Sequence, residues 1–312
     1  MNNTNKVQSD GCYQNLLNQV HAITKNCHEG SIKTRYRYEE ATERFCKFLA
    51  QEFKTQRFAN VRTSHVQAYV SYMQQCGKSP STIKTDLSGI RFYHRHSGSK
   101  NIIADNSHFN LEKRQFGRMD RSWLPHEIEA AKIYAKELGR LDVYYSINLG
   151  SNFGFRLEEV VKIEPIHIRN ALVDGEIYTK GKNGQVRYIK IRTEEQVMAL
   201  KEALQYADNL KLKPHDKILC DNVKGGVQRQ KRSIQSFLHN HNDVFRDPER
   251  RNIIDTQKLK VMELTYHGLR GFYANALYND ILRETGDKYL AKRYTSEMLA
   301  HHRPEITDIY LK

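Results

Sequence analysis

The chain has 312 residues, and 50 Lys and Arg against 36 Asp and Glu leave a formal net charge of +14. Apolar residues make up 39% of it, which supports packed cores and excludes wholesale disorder, while no stretch approaches the roughly 20 apolar residues of a membrane span. The N-terminus has no basic-then-apolar leader, and the five cysteines (Cys12, Cys27, Cys46, Cys76, Cys220) never form Cys-x-x-Cys, a pattern of free thiols in a reducing cytosol that speaks against a zinc site or a disulfide framework.

The elements follow in order. Residues 1–30 form a polar N-terminal extension with a weak apolar stripe (Leu16, Leu17, Val20, Ile23) and room for one helix. Over 35–53, Tyr38, Ala41, Phe45, Phe48 and Leu49 keep helical spacing. Thr63 or Ser64 can cap a second helix through Val66, Tyr69, Val70 and Met73, which Gly77 stops. Ser81 can cap a third, through Ile83, Leu87, Ile90 and Tyr93, whose other side chains include Lys84, Arg91 and Arg95. No strand signal occurs before residue 100, so 31–100 reads as a small helical bundle and 101–120, rich in turn formers, as a linker. Within 121–312 the spacing predicts helices at 125–138 and 141–152, a β-hairpin over 172–191, and helices near 193–207, 230–242, 267–283 and 288–300. The expected fold is mainly α with a small antiparallel β-sheet, in two domains.

Charge points to the partner. Residues 1–115 carry 17 Lys/Arg and 9 Asp/Glu, and 116–312 carry 33 and 27, so both parts are basic. The charges are interspersed with apolar residues, as on a folded surface that meets a polyanion such as nucleic acid.

Four separated segments carry chemistry. Gly154-Phe155-Arg156 is followed by Glu159, and a hairpin turn holds Lys180-Gly181-Lys182. His267 and Arg270 stand three apart, on one face of a helix. His301 is followed nine residues later by Tyr310. Singly, each is an ordinary surface or packing feature.

Taken in order, these segments resemble the tyrosine recombinases, the phage-integrase family. That family carries Arg in Gly-x-Arg-x-x-Glu, a Lys on a β-hairpin, His-x-Leu-Arg, Leu-Gly-His, and a Tyr nine residues beyond that His. Residues 81–93 are similar to its core-binding domain, so the likeness spans about 30–312. It implies a helical SAM-like core-binding domain and an α+β catalytic domain that clasp duplex DNA between them.

The resemblance further implies roles. Arg156 and Arg270 would clamp the non-bridging oxygens of the scissile phosphate. His301 would donate to the same phosphate, and His267 would donate or move a proton at the tyrosine. Tyr310 would be the nucleophile of a 3′-phosphotyrosyl intermediate. Lys182 would protonate the departing 5′-oxygen; Lys180, two residues earlier, is the alternative and otherwise a backbone contact. Glu159 would orient Arg156, and Lys84, Arg91 and Arg95 would contact DNA. No cofactor and no metal is implied. Four protomers on paired double-stranded sites would pass through a Holliday junction, with accessory DNA-bending or directionality factors, in the bacterial cytoplasm at the nucleoid. Integration or excision of a mobile element is the expected role; the alternatives are a non-catalytic DNA-binding derivative and a type IB topoisomerase-like enzyme.

The chain departs from the family pattern in four places. Gly271 follows Arg270 where many members have a second His. Ala300 replaces the common Gly, a mild change. Arg270 and His301 are 31 residues apart, with the excess near 280–292. The sequence ends two residues after Tyr310, where many members continue into a tail that docks on a neighbouring protomer.

Overall fold

Apolar residues spaced by three and four place most of the chain in helices. The structure, a computed structural model, describes residues 3–113, 120–181, 184–255, 260–300, 307, 308, 310 and 311. Contacts divide the chain into two units, Met1–Gln115 and Phe116–Lys312. Among the described residues, no helix is long and apolar enough to cross a membrane.

The first unit packs α1 (Asn3–Asn26), α2 (Ile32–Glu52), α3 (Thr63–Gln75) and α4 (Pro80–His96). Its core joins Leu16 and Val20 of α1 to Phe45 and Leu49 of α2, Tyr69 and Val70 of α3, and Ile83, Leu87, Ile90 and Tyr93 of α4. The N-terminal extension is thus one long helix built into this core. Across α2 and α4, the buried Asp86 carboxylate accepts from Arg37 Nη2 at 2.9 Å and from Arg44 Nη2 at 3.0 Å, so its charge is paired within the fold.

Three expectations need correction here. Ser79, not Ser81, caps α4: its Oγ accepts from the Thr82 amide, and Pro80 takes the first helical position, where a missing N–H costs nothing. Neither Thr63 nor Ser64 caps α3. The ring of His65 accepts the Arg62 amide instead, while Thr63 Oγ1 accepts from Ala104 N. The linker expected over 101–120 is shorter than that, because Ile103 and Phe109 are buried in the first core.

The second unit is built around α6 (Leu141–Phe153), which packs on α5 (Pro125–Glu137), α7 (Leu157–Val161), α9 (Glu194–Asn209) and α12 (Tyr266–Thr285). Val143, Ile147, Leu149 and Phe153 of α6 are all buried. Between α7 and α9 lie α8 (Pro165–Asp174) and the antiparallel hairpin of β1 (Glu176–Lys180) and β2 (Val186–Lys190). Pro165 at the first helical position starts α8, so the hairpin is shorter than the expected 172–191. Ile177 pairs with Ile189 on the buried face, and Tyr178 with Tyr188 on the outer one. The remaining elements are α10 (Gly226–Asn240), α11 (Asn242–Phe245), the two-residue strands β3 (Ile254–Asp255) and β4 (Lys260–Val261), and α13 (Lys288–Met298). The pair β3–β4 had no recognisable sequence signal, since two residues per strand are too few for an alternation to show.

Candidate active site

The end of α6 sets up the site. Gly154 caps the helix with φ +59°, in the left-handed region, and an added Cβ would sit 2.4 Å from Tyr273 Cδ1. Both conditions select glycine. Phe155 then turns into the core and stacks on Phe153 with centroids 5.4 Å apart. That places Arg156 at the N-cap of α7 and Glu159 at its third position. The Gly-x-Arg-x-x-Glu spacing is therefore also a cap: Glu159 Oε2 accepts the Arg156 amide at 2.7 Å, and Oε1 accepts from Arg156 Nη1 at 2.7 Å.

Glu159 serves a second arginine, which the sequence reading did not single out. Arg187 of β2 faces inward opposite Thr179, with its side chain 5% exposed. Its Nη2 donates to Glu159 Oε2 at 2.6 Å and, at 3.4 Å, to the Gly154 carbonyl; Nη1 donates to the Met298 carbonyl at 2.5 Å. The available signal was the alternation of Val186-Arg187-Tyr188-Ile189, which puts Arg187 on the buried face with Ile189.

Arg270 completes the group. It is buried on α12, donating from Nη1 to the Gly154 carbonyl at 2.7 Å and from Nη2 to the Leu299 carbonyl. Arg187 and Arg270 thus share one carbonyl and both hold the end of α13, where helix carbonyls lack internal partners and attract cations.

Two guanidiniums, those of Arg156 and Arg187, bond the single buried carboxylate of Glu159, and Arg270 joins them through the Gly154 carbonyl it shares with Arg187. Burial alone would raise the Glu159 pKa, but Arg187, then the Arg156 amide and side chain, hold it below the usual range. Burial lowers the pKa of Arg187, and burial with Arg187 and Arg156 lowers that of Arg270 to about 9, still cationic at neutral pH. The excess positive charge is what an anion would neutralise.

His267 lies on the first turn of α12, one turn before Arg270. Its Nε2 is 2.8 Å from Tyr310 Oη. The residue is exposed as a whole, yet its pKa is lowered, first by desolvation of the ring and then by Arg270 and Arg156. A neutral imidazole is thereby favoured, able to accept the phenolic proton. Tyr310 is half-buried, its amide bonded to the Thr307 carbonyl at 2.9 Å, while Lys292 and Asp308 pair at 2.7 Å beside it.

The start of α12 is held from below. Trp123 Nε1 donates to the Thr265 carbonyl at 2.8 Å. At Gly271 an added Cβ would lie 2.4 Å from Ser122 Oγ, so any side chain at the position of the family's second His requires Ser122 to move.

The other expected residues are placed as follows. Lys182 and His301 lie outside the described residues. Gly181 lies against the Arg156–Glu159 pair, where an added Cβ would be 2.8 Å from Glu159 Oε1. Lys180 is exposed at the end of β1, on the face opposite to Arg187. Lys84, Arg91 and Arg95 belong to the other unit. Lys84 Nζ donates to the Glu112 carbonyl at 2.8 Å, and Arg95 pairs with Glu29 at 3.8 Å. Arg91 donates twice to the Ala104 carbonyl and once to Asn106 Oδ1, and stacks over Phe109. The Lys84 and Arg91 cations are thus engaged with residues 104–112 of their own chain.

Residues 16–103 match the family described as phage integrase, N-terminal SAM-like domain. No curated protein matches the chain by sequence. Among solved structures, the chain is similar to a lambda integrase tetramer bound to a Holliday junction (TM-score 0.62, 13% identity, covering 95% of this chain and 76% of that one). It is also similar to the Tn1549 transposon integrase in complex with transposon right end DNA (TM-score 0.57, 11% identity, 95% and 94%). A third likeness is to the XerH site-specific recombinase bound to a palindromic difH substrate (TM-score 0.55, 16% identity, 94% and 80%).

Proposed function

We propose that the chain, whose fold is similar to those of solved integrases and of a site-specific recombinase and whose residues 16–103 match the phage-integrase SAM-like domain, cuts and rejoins DNA strands at specific sites through a phosphotyrosyl intermediate at Tyr310. The observation that carries this reading is the placement of the Tyr310 hydroxyl on His267, one helical turn from Arg270, in a cluster of three arginines and one carboxylate.

Phosphodiester cleavage is limited by charge that develops on phosphorus-bound oxygens, and preorganised donors lower that barrier most. Arg156 and Arg270 supply the donors. A guanidinium carries five N–H groups, and the carbonyls of Gly154 and Leu299 fix the plane of Arg270 before any phosphate arrives. Glu159 and Arg187 hold that arrangement without touching the phosphate.

In the reaction, Tyr310 Oη attacks phosphorus as its proton passes to His267 Nε2. The bond to the 5′-oxygen breaks, and Lys182 returns a proton to that oxygen; His301 donates to the phosphate. The tyrosyl ester conserves the energy of the broken bond, so the reverse attack by a 5′-hydroxyl rejoins a strand. Four protomers on two sites, exchanging strands through a Holliday junction during integration or excision of a mobile element, complete the reading.

Incubation with nicked suicide duplexes carrying the ends of the protein's own genetic element tests it. A covalent protein–DNA adduct that resists denaturant, formed by the wild type and lost in Tyr310→Phe, is the expected result. An adduct that survives Tyr310→Phe overturns the assignment of the nucleophile. Tight DNA binding without any adduct overturns the catalytic reading.

A further inference from the structure

In the N-terminal unit, three side chains distant in sequence converge. Cys27 follows α1, Glu29 lies in the loop before α2, and His96 is the last residue of α4. Cys27 Sγ is 3.4 Å from His96 Nε2, and Glu29 Oε2 is 3.4 Å from the same nitrogen. All three donor atoms lie within 4.8 Å of one another. Ligands held at about 2.0–2.3 Å around a tetrahedral ion stand roughly 3.3–3.6 Å apart, so the two distances are those of ligands already gathered around one point.

A second observation concerns the imidazole. His96 Nδ1 lies 2.8 Å from the Phe92 carbonyl, one turn back on α4. A carbonyl only accepts, so Nδ1 carries the hydrogen and, in the neutral ring, Nε2 presents its lone pair to the sulfur and the carboxylate. This is the outer contact that orients metal-binding histidines. The loop is fixed as well: Arg35 Nη1 donates to the Cys27 carbonyl at 3.0 Å and to His28 Nδ1 at 3.0 Å. The Glu29 carboxylate also pairs with Arg95 Nη2 at 3.8 Å, through its other oxygen, Oε1, which leaves Oε2 on the side of His96 Nε2. A cation at the common point would join Cys27 Sγ, Glu29 Oε2 and His96 Nε2.

We propose that Cys27, Glu29 and His96 form a Zn²⁺ site that ties the loop between α1 and α2 to the end of α4. One thiolate, one imidazole and one carboxylate suit zinc, with the fourth position left to water. On binding, Cys27 loses its thiol proton to solvent, so one proton is released for each ion taken up.

Titration of the full chain with cobalt(II) tests the site, because a cobalt–thiolate bond gives a charge-transfer absorption that His and carboxylate ligands do not. The band is expected to saturate at one ion per chain and to disappear when zinc displaces cobalt. It is expected to be lost in Cys27→Ser and kept in Cys76→Ser, which removes an exposed thiol elsewhere. Helical circular dichroism checks that Cys27→Ser folds. Glu29→Gln, on a largely exposed side chain, is expected to keep the band and weaken affinity by ~10-fold or more, and does not depend on that check. Absence of the band in the wild type, its persistence in Cys27→Ser, or unchanged affinity in Glu29→Gln overturns the proposal.

Discussion

The pair Arg187 and Glu159 gives a quantitative test of the charge arrangement. Their side chains are 5% and 1% exposed and 2.6 Å apart, and removing one partner of such a buried pair costs about 3–5 kcal/mol. Arg187→Met falls at the low end, ~3 kcal/mol, because Glu159 keeps two bonds from Arg156 while the Met298 carbonyl loses its donor. Glu159→Gln leaves Arg156 and Arg187 without their carboxylate and weakens the cap of α7, for about 4 kcal/mol. In the double variant the uncompensated charges cancel in part, so the loss should fall short of the sum by roughly 1–3 kcal/mol. The assay is urea unfolding followed by fluorescence of Trp123, the chain's single tryptophan, which is buried in the C-terminal unit and reports on that unit. Additivity within about 0.5 kcal/mol would refute the claim that Arg187 and Arg156 share Glu159 as their counterion.

Other consequences can be measured in the same unit. Ala300 follows the cap of α13 with φ +49°, a position that favours glycine, so replacing the family's common Gly is not the mild change the sequence suggested. Ala300→Gly should stabilise by ~1 kcal/mol, a rise of about 2–4 °C in Tm, and an unchanged or lower Tm would contradict the strain. Gly271→Ala should cost about 1–2 kcal/mol against Ser122 Oγ, and a Ser122→Gly background should remove the loss; if it does not, the close approach is not the cause. The lowered His267 pKa sets a pH dependence. The histidine is neutral, and able to take the Tyr310 proton, above its folded-state pKa, so adduct formation should hold level at neutral pH and fall as pH drops below the ordinary 6.5. The same shift makes the unfolded chain bind the proton more readily, so its contribution also lowers stability as pH falls through that window. A cleavage rate unaffected down to the range where carboxylates protonate would remove His267 from the base role.

Periodicity in the sequence reveals the helices because each buries one face, and Tyr38 to Leu49 or Ile83 to Tyr93 repeat that face every three or four residues. The α6 turn is equally legible: Gly154, Arg156 and Glu159 act within six residues, through local backbone geometry and a cap. Caps are harder to read. Ser79, Ser81, Thr63 and Ser64 are interchangeable by residue type, and only the path of the preceding chain selects Ser79 and passes over the other three. The burial of Ile103 and Phe109 in the first core was likewise invisible, since two apolar residues in a turn-rich stretch carry no period.

The spacings within single segments, from Gly154 to Glu159, His267 to Arg270 and His301 to Tyr310, are properties of the sequence itself, and His267 and Arg270, three apart on α12, meet on one face wherever that helix goes. Contacts between segments are not. Nothing local places Tyr310 on His267, brings the hairpin's Arg187 to Glu159, or lays the carbonyls of Met298 and Leu299 on Arg187 and Arg270. Those pairings depend on how α6, α12, α13 and the hairpin pack. Packing is fixed by the summed burial of many side chains, and not by any one residue pair that a reader could single out in the sequence.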